Sequence, residues 1–317
     1  MADEAGARVR GVVMGRIDEA LRRSNLDAAQ GTGAETPTPA TSPWRVEQHE
    51  DRDGPEPERS SASEPVAGAP ADCPVPGERR PAGWGRLDAS VLERLVVSKT
   101  VAPLLVEQFR SLAATLHRAQ SEQHLRSVIV TSSSPGDGKS HVAVNLALTL
   151  SESYRRRVLL IDADLRRPTL HLMFRVPNTR GLSETLEEKT DEKVAAVQIS
   201  ETLALLPAGR PGSHPLGGLS SGRMKRIVAD AASRFDWVIV DSPPVGVLAD
   251  ARLVAEMVDA AILVVRAGVT RFPDLAAAAA ALGHERILGL VLNGVDPVEI
   301  RGAGDYSHYY GSELGRS

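Results

Sequence analysis

The sequence predicts a doubly wound α/β domain built on a mostly parallel sheet, and two observations carry that reading. Short unbroken apolar runs, Val128-Ile129-Val130, Val158-Leu159-Leu160-Ile161 and Trp237-Val238-Ile239-Val240, alternate with helical patterns along the chain. Runs of this kind suit parallel strands covered on both faces. In addition, two of the runs end directly in acidic residues, Asp162-Ala163-Asp164 and Asp241-Ser242. Open parallel sheets bind their ligands in the crevice beyond the carboxyl ends of the strands.

The elements follow in order. Segment 1–25 carries Val9, Val13, Ile17 and Leu21 at four-residue spacing, among Arg8, Arg10, Arg16, Arg22 and Arg23. This spacing predicts an amphipathic helix: either a docking helix for a partner or an anionic membrane surface, or a short marginal helix without consequence. The small apolar face favours a protein partner over lipid. Residues 26–89 read as a disordered Pro/Gly-rich linker, because ten of the 21 prolines fall between Pro37 and Pro81 and aliphatic runs are scarce. Such a segment buries too little apolar surface to offset its ordering entropy.

The folded domain is expected over 90–302. Leu92 to Val97 lead into a helix, Ala102–Gln120. Strand Ser127–Val130, helix His141–Ser153 and strand Val158–Ile161 follow. Residues 166–188 read as loop and helix, broken at Pro168 and Gly181. Then come strand Leu203–Leu206, helix Met224–Ser233, strand Trp237–Val240, helix Ala251–Met257, strand Ala260–Val265, helix Leu275–Leu282 and a last strand, Ile287–Leu292, ending at Asn293-Gly294. Strands alternating with helices imply parallel βαβ units with helices on both faces. Residues 303–317 form a polar, flexible tail holding Tyr306, Tyr309 and Tyr310, three of the four tyrosines in the chain. Composition allows two roles: a tail stacked on a domain, or phosphoacceptor hydroxyls on a tether.

Composition removes several function classes. A net charge of −4 gives no support for nucleic-acid binding. The lone cysteine, Cys73, excludes an internal disulfide framework and a multi-cysteine metal site. No apolar run approaches the roughly 18–20 residues of a membrane span, and the N-terminus lacks an apolar signal core. The expected location is the cytoplasm, with recruitment to the inner face of the plasma membrane only through another protein.

The chemistry concentrates at residues 131–140, Thr-Ser-Ser-Ser-Pro-Gly-Asp-Gly-Lys-Ser, set between a strand and a helix. Pro135, Gly136, Asp137, Gly138, Lys139, Ser140 and His141 form a phosphate cradle in which backbone N–H groups and a helix N-terminus face an anion. Ser133 stands where the G-x-x-x-x-G-K-[ST] pattern has its first glycine. Lys139 can reach the terminal phosphates, and the Ser140 hydroxyl can hold Mg²⁺. Asp162, Asp164 and Asp241 add hard oxygen ligands and a proton acceptor. Together they read as a Mg²⁺–nucleoside triphosphate site, the signature of a P-loop NTPase fold.

These segments, from about Glu107 to the C-terminus, resemble the bacterial tyrosine autokinases (BY-kinases) of capsule and exopolysaccharide loci. Ser132–Ser140 is similar to their Walker A segment, Leu159–Pro168 to Walker A′, and Val238–Pro244 to Walker B. Leu206-Pro207-Ala208-Gly209, Gly289–Val295 and the tyrosine tail complete the pattern. The resemblance implies ATP and Mg²⁺ as cofactors, with Lys139 neutralising β/γ charge and Ser140, Asp164 and Asp241 holding the metal. Asp162 would lie nearest the incoming phenol, accepting its proton or coordinating the metal, and its division of labour with Asp164 is open. Asn293 looks like the adenine contact of related ATPases, or else a plain Asn-Gly turn residue. The resemblance also implies phosphorylation of Tyr306, Tyr309 and Tyr310 in trans, a membrane polysaccharide co-polymerase as activator, and control of polymer synthesis or export.

Two departures bear on assembly. The family's ring-forming Glu-x-x-Arg-x-x-Arg helix is matched at Glu107 and Arg110, but Ala113 takes the third place, which weakens the case for a ring of homo-oligomers. Partition and division-site ATPases carry a signature lysine before the loop glycines, where this chain has Ser134. A nucleotide-switch ATPase of that type is therefore the alternative, and the less favoured one. Arg16–Arg23 resembles the start of stand-alone autokinases that lack a fused membrane segment.

Overall fold

Nine strands form one sheet in the computed structural model, which describes residues 11–15, 44–47, 95–98, 101–187, 194–211, 215–246 and 249–295. In chain order these are β1 (Gly11–Gly15), β2 (Trp44–Glu47), β3 (Ser127–Ser132), β4 (Val158–Asp162), β5 (Val194–Gln198), β6 (Leu203–Leu206), β7 (Trp237–Asp241), β8 (Ala260–Arg266) and β9 (Ile287–Val295). Their order across the sheet is β1-β9-β8-β3-β7-β4-β6-β5-β2. The centre, from β9 to β6, is parallel throughout. The β1–β9 and β5–β6 pairs are antiparallel.

The helices are α1 (Pro103–Gln123), α2 (Lys139–Leu148), α3 (Leu170–Met173), α4 (Leu182–Glu187), α5 (Pro215–Leu219), α6 (Gly222–Arg234), α7 (Ala249–Ala255) and α8 (Phe272–Leu282). They cover both faces because the apolar strands point residues both ways. Val128, Val130, Leu160, Trp237 and Ile239 share one core with Phe109, Leu112 and Leu116 of α1 and with Leu146 of α2. Ile129, Leu159, Ile161, Val238 and Val240 face the other way, against Met224, Ile227 and Val228 of α6, Val254 of α7 and Ala278 of α8. That period of two on both faces is the doubly wound pattern.

The structure corrects several expectations. Where the four-residue spacing predicts a helix, Gly11–Gly15 forms strand β1, paired to β9 from Gly11↔Val295 to Gly15↔Leu290. Glycines at both ends lower helix propensity, Val12 and Val13 favour extended backbone, and the edge of β9 offers hydrogen-bonding partners. The rest of 1–25 lies outside the described residues. Within the stretch read as linker, Trp44–Glu47 forms β2, parallel to β5. β5 itself, absent from the sequence reading, pairs with β6 at Val197↔Leu205 and Gln198↔Ala204. Asn293 and Gly294, read as following the last strand, belong to β9. The remaining boundaries shift by a few residues, as expected at frayed ends, and the tail at 303–317 lies outside the described residues.

The α1 face supplies a direct test of this packing. Phe109 is 1% exposed and its ring fills the layer between α1 and the sheet. Phe109→Ala should destabilise the fold by about 3–5 kcal/mol, read as a lower urea midpoint at unchanged slope.

Candidate active site

The crevice beyond the carboxyl ends of β3, β4 and β7 gathers the residues that the sequence singled out. β3 runs straight into the phosphate loop, and α2 begins at Lys139, so the helix N-terminus opens on the loop. Gly138 has φ +94°, a left-handed conformation that disfavours any side chain, and a Cβ there would collide with Asn293 Nδ2. Gly246 allows a second close approach, because a Cβ on it would lie 2.5 Å from the Ser133 carbonyl oxygen.

The loop is braced from outside by its neighbours. The Asp137 carboxylate accepts hydrogen bonds from the Ser134 amide (3.0 Å), the Ser133 hydroxyl (3.2 Å) and the Thr270 hydroxyl (2.9 Å). Arg266 donates to the Gly136 carbonyl at 3.1 Å, and Asn293 Nδ2 donates to the Asp137 carbonyl at 2.8 Å. Asn293 therefore meets the loop backbone itself. Arg266 and Thr270 were not legible as site residues, since a lone Arg and Thr after a strand carry no pattern. Only the fold brings the end of β8 beside the loop.

The acidic residues converge on the lysine. Lys139 Nζ lies 3.2 Å from Asp164 Oδ2, and Asp164 Oδ1 accepts from the Arg167 amide at 3.1 Å. Asp162 and Asp241 sit directly opposite each other on adjacent strands. Asp162 Oδ2 accepts from the amides of Thr169 (3.2 Å) and Leu170 (3.0 Å), which anchors the following segment. Asp241 is fully buried, and neither of its carboxylate oxygens has a well-formed hydrogen bond. A further carboxylate, Asp250, is buried at the start of α7 and is taken up by Arg166, whose Nε lies 2.8 Å away.

Burial decides the electrostatics. Removal from water, then the facing Asp241, pushes the Asp162 carboxyl up to about 8, against the pull of the Leu170 amide. Asp241 is pushed up to about 6, mainly by burial, while Lys139 and the Ser140 hydroxyl draw it down. The Asp241 carboxylate, without a well-formed hydrogen bond, and the Ser140 hydroxyl beside it are the hard donors that suit Mg²⁺. Among the described residues no three His, Cys, Asp or Glu side chains form a metal cage. Beside the phosphate loop lies a pocket of about 660 Å³, whose far wall is the segment Thr169–Val176.

The raised carboxyl has a measurable cost. Folded chain keeps a proton on Asp162 up to about pH 8, whereas unfolded chain, with an ordinary value near 3.8, releases it. The unfolded state thus binds fewer protons in that window, and stability of the nucleotide-free chain should fall as pH rises from about 4 to 8. Asp162→Asn should flatten that fall, measured by urea unfolding in EDTA across the window.

Comparison with known proteins agrees with this arrangement. The family model "Cellulose biosynthesis protein BcsQ" matches residues 125–295. Tyrosine-protein kinase YwqD of Bacillus subtilis (strain 168) is 36% identical over 209 residues, covering 65% of this chain and 88% of the relative. The kinase domain of Escherichia coli tyrosine kinase ETK superposes with a TM-score of 0.57 at 32% identity, over 60% of this chain and 76% of that one. The BceF tyrosine kinase domain does so with a TM-score of 0.57 at 32% identity, over 68% and 90%. Among the described residues no helix is long and apolar enough to cross a membrane. The chain belongs to the bacterial tyrosine kinases, within the P-loop ATPase family whose BcsQ model it matches.

Proposed function

We propose that the chain is an ATP- and Mg²⁺-dependent protein-tyrosine autokinase that phosphorylates Tyr306, Tyr309 and Tyr310 of another copy. The observation that carries this reading is the meeting of Lys139 with buried strand-end carboxylates at the mouth of a phosphate loop. In the reaction, a tyrosine oxygen forms a bond to the γ-phosphorus of ATP as the bond from that phosphorus to the β-bridging oxygen breaks. ADP leaves, and the phenol proton passes to a strand-end carboxylate. A phenol has an ordinary pKa near 10, so it needs such a group to react near neutral pH.

Each residue has a part that its chemistry allows. Lys139 and the backbone amides of Gly136 to His141 would neutralise the β/γ oxygens, since phosphoryl transfer rests on position and charge. Asp162 is the chosen carboxylate nearest the phenol, to accept its proton or to coordinate the metal. Its pKa is raised in the nucleotide-free chain, so it would serve as a base only once a bound cation had favoured its ionised form. Mg²⁺ would be held by Ser140, Asp164 and Asp241, and when bound it would neutralise the charge of the phosphates. Releasing Lys139 from Asp164 onto the incoming phosphates is the accompanying change in the site.

The cellular role proposed is control of capsule or exopolysaccharide polymerisation or export, through a membrane co-polymerase as partner and recruitment to the inner face of the plasma membrane. The names of the relatives support the kinase, and the resemblance to autokinases of capsule and exopolysaccharide loci supports the pathway. For assembly, Glu107 and Arg110 form an exposed ion pair within α1, available to a neighbouring copy.

Incubation with radiolabelled ATP and Mg²⁺, followed by phosphosite mapping, should place label on the tail tyrosines. ATP hydrolysis without phosphotyrosine would favour the nucleotide-switch alternative. Lys139→Met should lower transfer by at least roughly 100-fold with the unfolding transition intact. Mixed with an active chain lacking residues 303–317, the Lys139→Met chain should itself become labelled, whereas an unlabelled variant would mean transfer within one molecule.

A further inference from the structure

The pocket beside the phosphate loop has two unlike walls. One is the loop and the first turn of α2, through Lys139, Ser140 and His141. The other is built from Thr169, His171, Leu172, Met173, Arg175 and Val176. Phosphate recognition accounts for the first wall and leaves the second without a role. In that second wall two buried polar atoms, Thr169 Oγ1 and His171 Nδ1, have no hydrogen-bond partner. Buried polar atoms are rarely left so, and each unsatisfied one is costly, which points to a ligand that supplies the partner. Leu172, next to them, is 62% exposed and so presents apolar surface to whatever enters the pocket.

The second wall is also fixed relative to the reacting end of the nucleotide. It hangs from Asp162, whose Oδ2 holds the amides of Thr169 and Leu170. The nucleotide's terminal phosphate belongs beside Asp164 and Lys139, so the wall stands where an acceptor has to arrive. It offers apolar surface and a hydrogen-bonding imidazole, the two features that a phenol side chain presents in complement. The pocket volume lies within the roughly 300–1,000 Å³ of sites that enclose small ligands.

Resting on the kinase reading, we infer that Leu172 and Met173 flank the ring of the acceptor tyrosine while His171 hydrogen-bonds its hydroxyl, making this wall the acceptor-selecting half of the site. Burial lowers the His171 pKa, so the imidazole is neutral at pH 7 and keeps a lone pair for that hydroxyl. His171 is on this account a positioning residue. It selects and aligns the phenol, and the proton moves to the strand-end carboxylate as before.

The test uses full-length enzyme with a size-tagged full-length Lys139→Met chain as acceptor, and follows rate against the concentration of acceptor and, separately, of ATP. His171→Ala and Leu172→Ser should each raise the acceptor KM roughly tenfold, with the KM for ATP held. Leu172 is exposed, so its variant folds as the parent does. His171→Asn, which keeps an amide near the place of Nδ1, should recover most of the loss, as a merely structural residue would not. Parent enzyme that labels the acceptor, together with variants whose acceptor KM is unchanged, would overturn this inference alone. A rise in the KM for ATP instead would overturn it by assigning the wall to the nucleoside. Parent enzyme that hydrolyses ATP but labels no tyrosine would overturn both this inference and the kinase reading.

Discussion

Two aspartates facing each other across adjacent parallel strands, with a lysine alongside, set the terms for the rest of this molecule. Asp162 and Asp241 are register partners on β4 and β7, and both are removed from solvent. Like charges held so close in a poorly screened place disfavour double ionisation. The protein answers in three ways. Backbone amides of Thr169 and Leu170 take one oxygen of Asp162. Lys139 pairs with Asp164, the third carboxylate. Asp241 is left with its oxygens open, which is the state of a group that awaits a cation. An apolar pair at these positions would make a more comfortable strand end, so the arrangement is explained by ligand chemistry and not by stability.

A site that must seat a flexible, highly charged substrate also needs a loop that does not rearrange. Here the rigidity comes from elements distant in sequence. The Gly136 carbonyl is held by Arg266 and the Asp137 carbonyl by Asn293, so both are committed away from the phosphate side. The Asp137 side chain then ties the start of the loop to Thr270. The missing first glycine, Ser133, fits the same account. Its hydroxyl donates to Asp137, and its backbone carbonyl packs closely against Gly246. The serine in place of the usual glycine is thus taken into the loop's own hydrogen bonding, and pre-set loop dipoles of this type are what make electrostatic catalysis effective.

The central sheet and the cluster of strand-end aspartates were legible because their signals are local. Val158 to Asp164 encodes strand, burial and carboxylate in seven consecutive residues, and the phosphate loop reads in ten. The edges were not legible, for the opposite reason. β1 has five residues that satisfy helical spacing as well as they satisfy extended backbone, and only the open edge of β9 decides between them. β2 is four residues within a proline-rich stretch, whose pairing partner lies some 150 positions away. Arg266, Thr270 and Gly246 acquire meaning only when β8 and β7 bring them to the loop. Asn293 was identified by position, but its observed partner, the Asp137 carbonyl, could not be read from an Asn-Gly pair.

The phosphate loop and its carboxylates do not by themselves make a kinase. Any base that accepts a proton from a phenol accepts one from water, and water is always present at higher concentration. Preference for a side-chain acceptor must then come from placement, since holding two reactants in line is worth several orders of magnitude in rate. Placement requires surface on the reacting side of the terminal phosphate, and α2 and the loop cannot provide it because they lie behind the phosphates. The surface that remains is the chain leaving β4, pinned at Thr169 and Leu170 by Asp162. On the proposed reading, one carboxylate would both stand nearest the phenol and fix the wall against which that phenol lies. If the kinase reading holds, the difference between spending ATP on water and spending it on a tyrosine would fall to the few residues that follow.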